Sequence, residues 1–91
     1  LNGKITTINP PGSSVTRINS INNNGEVAGD YSNSSAQNVG FTYLNGKITT
    51  IKIPGSSDTF VTLINNNGVV IGTYISDKQG ISFMYGNTLK G

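Results

Sequence analysis

Residues 1–31 return at residues 44–74 with 21 identities in 31 and no gap, and no other feature narrows the possible folds as far. A chain that repeats one unit at a spacing of 43 residues folds as two copies of a single supersecondary element, each too small to cover both of its own faces. The identities come in blocks. Leu1-Asn2-Gly3-Lys4-Ile5-Thr6-Thr7-Ile8 matches Leu44 to Ile51, Pro11-Gly12-Ser13-Ser14 matches Pro54 to Ser57, and Ile21-Asn22-Asn23-Asn24-Gly25 matches Ile64 to Gly68. Beyond Tyr31 the copies drift and the second loses one residue, so Val39-Gly40-Phe41-Thr42-Tyr43 matches Ile81-Ser82-Phe83-Met84-Tyr85. The variable stretches, Ser32 to Asn38 and Ile75 to Gly80, have the length change and drift expected of an exposed loop.

Each copy reads as four short strands. They are Lys4–Ile8, Thr16–Ile21, Glu26–Tyr31 and Val39–Tyr43, then Lys47–Ile53, Thr59–Ile64, Val69–Tyr74 and Ile81–Tyr85. Pro-Gly-Ser-Ser, Asn-Asn-Asn-Gly and Leu-Asn-Gly punctuate them as turns. Asn24-Gly25 and Asn67-Gly68 are the expected hairpin turns, with positive φ at the glycines. No segment carries a helical apolar period over helical length. Apolar residues also fall on adjacent or odd-spaced positions, as in Val69-Val70-Ile71, Ile5 with Ile8 and Ile18 with Ile21. Such residues point to both faces of a sheet, which is expected where sheets stack. The reading is therefore an all-β fold: two tandem four-stranded antiparallel repeats like β-propeller blades, or alternatively a stacked β-sandwich or solenoid. Residues 1–91 form one β domain, divided into repeats 1–43 and 44–91. Ile5, Ile8, Ile21, Val27 and Tyr31 are expected in the core with their counterparts Ile48, Ile51, Ile64, Val70 and Tyr74.

Charged residues make up 11% of the chain and leave a net charge of +2. The six basic residues are scattered, without the concentrated patch that a nucleic-acid binder needs. There is no Cys to form disulfides or ligate metal, and no apolar run long enough to insert as a membrane helix. With four acids and neither His nor Cys, acid–base and nucleophilic catalysis have few candidates. The expectation is a non-enzyme without cofactor or metal. Asn22-Asn23-Asn24-Gly25-Glu26 clusters oxygens as a calcium loop does. However, Val69 replaces Glu26 in the second copy, so a tight turn is the expected reading.

The ordered series of Gly40-Phe41-Thr42-Tyr43-Leu44-Asn45-Gly46, Ile51-Lys52-Ile53-Pro54-Gly55 and Ile64-Asn65-Asn66-Asn67-Gly68-Val69-Val70-Ile71-Gly72-Thr73-Tyr74 resembles the extracellular repeats of the HAF family, found in bacterial secreted proteins. The tripeptide that names that family is here Val39-Gly40-Phe41 and Ile81-Ser82-Phe83, without its His. The resemblance implies a β-propeller-like fold and an extracellular or cell-surface location, and it implies no activity.

Three functions are open at this point. The first is an extracellular structural or assembly repeat that completes its sheets with neighbouring repeats or subunits, as a ring or a filament. The second is a lectin-like carbohydrate-binding module, with Tyr31 and Tyr74 as candidate stacking residues, although aromatic residues at repeat-equivalent positions also suit the core. The third is a fragment of a hydrolase. Asn33-Ser34-Ser35 is a candidate glycosylation sequon. The assembly reading rests on Lys4–Ile8, which has a turn but no preceding strand partner, and on Ile81–Tyr85, which has no strand after it. Each is expected to pair with the other's counterpart in a neighbour.

Overall fold

The computed structural model describes Gly3 and residues 5–86. Among these residues the chain is all-β: seven strands in two antiparallel sheets. Strands β1 (Ser13–Ile21), β2 (Val27–Asn33), β3 (Asn38–Leu44) and β4 (Lys47–Ile51) form the first sheet in chain order. Strands β5 (Asp58–Ile64), β6 (Val70–Ser76) and β7 (Gln79–Tyr85) form the second. The expected strand ends shift by a few residues, and Lys47–Ile53 stops at Ile51.

The fourth strand of the first sheet comes from across the sequence boundary at residue 44. Leu44-Asn45-Gly46 turns β3 into β4, and β4 is the stretch that opens the second repeat, paired with β3 from Gly40↔Ile51 to Leu44↔Lys47. The folded unit is therefore displaced from the sequence unit. Ile5–Ile8, the counterpart of β4, lies in no strand, which corrects the expectation for the described part of Lys4–Ile8. Lys4 itself falls outside the described residues. The second sheet accordingly has three strands among the described residues, where four were expected.

The sheets stack through β5, which lies against β1, β2 and β3. Alternation along the paired strands sorts each sheet into an inner face and an outer face. Ala28 and Ile51 of the first sheet meet Val61, Ile64 and Val70 of the second, with Phe83 packed alongside. Gly40 permits this approach, because a Cβ there would lie 2.7 Å from Val61 Cγ2. A second cluster of Tyr31, Val39 and Phe41, backed by Ile8, Tyr43 and Ile48, sits on the outer face of the first sheet. The aromatic pair is repeated: Tyr31–Phe41 and Tyr74–Phe83 have ring centroids 6.1 Å and 6.0 Å apart, both tilted by 56°.

Of the ten expected core residues, Val27, Tyr31, Ile51, Ile64 and Val70 are buried, while Ile8, Ile48 and Tyr74 are half-buried. Ile5 and Ile21 are corrections, at 86% and 63% exposed. Ile21 is followed by the same Asn-Asn-Asn-Gly as Ile64, yet it stands on the outer face of the first sheet, where no third sheet covers it among the described residues. Ile5 lies outside any strand.

Candidate functional site: the joint between repeats and its open counterparts

The joint is mostly polar along one side of β5. This strand is an edge of its sheet, and its backbone is satisfied by side chains of the first sheet. Asn19 Nδ2 donates to Val61 O at 2.7 Å, Val61 N donates to Asp30 Oδ2 at 3.3 Å, and Ile64 N donates to Ser20 Oγ at 3.1 Å. Asp30 is almost fully buried and is held from its own sheet by Arg17 Nε at 2.8 Å and Asn19 Nδ2 at 3.1 Å. Asn38 receives Arg17 and Ser32 on its side-chain oxygen, and donates from both N and Nδ2 to Asp58 Oδ1 at 2.9 and 3.0 Å. No buried side-chain polar atom among the described residues lacks a partner. A fully satisfied network of this kind fixes one register between sheets.

These bonds hold the Asp58 carboxyl below its ordinary pKa of 3.8, chiefly through the backbone amide of Asn38 and then its side chain. A carboxyl with a depressed pKa adds stability above its unfolded pKa, and that contribution disappears as pH falls through the folded value. Wild type is therefore expected to lose more thermal stability than Asp58→Asn between about pH 6 and pH 3. Parallel melts of the two proteins over that range would show equal losses if the latch were absent.

The Asn-Asn-Asn-Gly turns have the expected glycine geometry and add a side-chain device. Gly25 and Gly68 do take positive φ, +79° and +81°, but Asn24 and Asn67 do not. Instead the first Asn organises the turn. Asn22 Oδ1 accepts from Asn24 N and Glu26 N, and Asn65 Oδ1 accepts from Asn67 N and Val69 N. With both bonds directed into its own turn, Asn22 serves as an Asx turn. Asn33 repeats the device with Ala36 in the left-handed region, so the sequon asparagine spends its oxygen on Ser35 N and Gln37 N.

The two Asn turns also stack on one another. Asn22 Nδ2 donates to Asn65 O at 2.9 Å, Asn23 N donates to Asn66 Oδ1 at 2.8 Å, and Asn24 Nδ2 donates to Asn66 O at 3.3 Å. This ladder was missed in the sequence, where the triplets read only as turn signals. The identity of all three Asn residues in both copies was the available clue.

Comparison with family models, curated proteins and solved structures finds no match. Tyr31 is buried at 7% exposure against Phe41, which corrects its candidacy as a stacking platform. Tyr74 is half-buried against Phe83. Tyr85 is the tyrosine that lies open, at the rim of a polar cleft between the sheets lined by Glu26, Thr42, Lys47, Thr49, Gly68 and Val70. Two apolar surfaces are also open. One, on the outer face of the first sheet, is a groove lined by Ile8, Ile18, Ile21, Val27 and Tyr43. The other, on the outer face of the second sheet, exposes Leu63, Ile71 and Met84.

Proposed function

We propose that the chain is an extracellular structural module, a repeat that completes its sheets with neighbouring repeats or subunits. The observation that carries this reading is the borrowed strand. In the first sheet β3 is covered by β4, while the corresponding edge, β7, carries no strand among the described residues. Ile5–Ile8 has the same sequence as Ile48–Ile51 and pairs with no strand among the described residues. Open strand edges recruit strands, and a segment that already forms the required strand once in this chain is a fitting supplier. A head-to-tail contact of this kind closes into a ring if its rotation allows, and otherwise grows as a filament. The extracellular placement rests on the HAF-like motifs. Light scattering on residues 1–91 at high micromolar concentration is expected to find trimers, tetramers or fibres, and a folded monomer throughout would defeat the proposal.

A second reading, carbohydrate binding, is favoured by the polar cleft beside exposed Tyr85. An open aromatic ring next to Glu, Lys and Thr side chains has the composition of a sugar subsite. In this case a glycan array would return binding that Tyr85→Ala abolishes. Loss of oligomers with sugar binding retained would favour this reading over the first.

A further inference from the structure

The Asn ladder between the turns is directional, and it ends in unused groups of matching chemistry. Within the chain the first turn gives three hydrogen bonds to the second: Asn22 Nδ2 and Asn24 Nδ2 to the backbone, and Asn23 N to the Asn66 side chain. The second turn owns the same three donors, Asn65 Nδ2, Asn66 N and Asn67 Nδ2, and among the described residues none of them finds an acceptor. The first turn owns the same three acceptors, Asn22 O, Asn23 Oδ1 and Asn23 O. Among the described residues, Asn23 Oδ1 and Asn23 O receive nothing, and Asn22 O receives only its own turn's Gly25 N, as Asn65 O receives Gly68 N. We infer that a second copy of this chain docks its first Asn turn on the second Asn turn of this one, continuing the ladder and laying the two open apolar faces together.

The faces fit that placement by repeat equivalence. Val61, Ile64 and Val70 fill the internal joint, and their counterparts Ile18, Ile21 and Val27 line the outer face of the first sheet. At the Asp58 latch, both sides change together. Arg17, Ser32 and Asn38 have the counterparts Phe60, Ile75 and Gly80, and Asp58, which they help to hold, has the counterpart Val15. At the Asp58 latch the joint between copies thus exchanges hydrogen bonds for apolar contact on both sides, while Leu63 offers no counterpart to the bond that Ser20 accepts from Ile64 N. It is also bulkier, with Leu63, Ile71 and Met84 in place of Ser20, Ala28 and Thr42, so the ladder supplies the register that apolar contact alone would leave loose.

The inference rests on the assembly reading and names the surface it uses. Its test exploits an asymmetry. The side chain of Asn66 acts inside the chain and that of Asn23 only between copies. The Nδ2 of Asn65 acts between copies, while its Oδ1 holds the turn. Asn66→Ala is expected to lower the melting temperature of the monomer. Asn23→Ala and Asn65→Asp are expected to melt like wild type and to weaken self-association, measured by analytical ultracentrifugation, by about tenfold or more. Asp at residue 65 keeps the turn acceptor and removes the donor. Wild-type oligomers that persist undiminished in both variants would overturn the ladder and leave the assembly reading standing. Asn23→Ala melting as low as Asn66→Ala would also overturn it. A wild-type monomer at every concentration would overturn both.

Discussion

Gly72→Ala is expected to remove about 3 kcal/mol of stability, the upper end of what forced overpacking costs. Gly72 lies opposite Val61, where β5 bulges between Val61 and Leu63. The bulge swings the carbonyl of Phe60 toward β6, and a Cβ at residue 72 would sit 2.0 Å from that oxygen and 3.0 Å from Phe83 Cε1. A ring can turn aside, but a carbonyl in a paired strand cannot move without opening the β5–β6 ladder. The same holds at Gly29, whose Cβ would lie 2.0 Å from Arg17 O beside the bulge between Ile18 and Ser20. A small domain has only about 5–15 kcal/mol in total, so either substitution consumes a large share of it. Urea melts of the two variants would reveal this directly. A midpoint equal to wild type for Gly72→Ala would mean that β6 does not approach the bulge as described.

Ile64→Ala is expected to cost about 2–5 kcal/mol, whereas its sequence counterpart Ile21→Ala is expected to cost under about 1 kcal/mol in the monomer. Ile64 is 6% exposed and packs among Ala28, Ile51, Val61 and Val70. Ile21 is followed by the same Asn-Asn-Asn-Gly but is 63% exposed. Its removal leaves no cavity, because nothing encloses it. Melts at dilute concentration, where copies do not meet, would separate the two effects. Equal losses at both positions would show that the face carrying Ile21 is covered within one chain.

Sequence reading recovered what local chemistry controls. Strand segments, turn positions and the all-β class follow from β-branched and aromatic runs punctuated by Asn-Gly and Pro-Gly, and these act over a few residues. It erred where the outcome depends on what lies across a sheet. Hairpin closure at Leu44-Asn45-Gly46 is a local event and was legible in the sequence, and it puts Lys47–Ile51 beside the preceding strand, whereas the exposure of Ile21 was not legible. Asn24-Gly25 was legible as a turn. The role of Asn22 in holding it, and of all three Asn residues in joining one turn to the next, needed the turns to be brought together in space.

By itself, the sequence determined that this protein is one β unit made twice, since 21 matches in 31 residues leave both copies the same strands and turns to form. Only the tertiary structure decided which copy of each residue is buried. Stacking two equivalent units in one direction covers one face of each, so Ile64 and Ile21 acquire different surroundings at matching positions of the repeat. Burial is a property of what packs against a residue, and a repeat carries that information only when its neighbours are known.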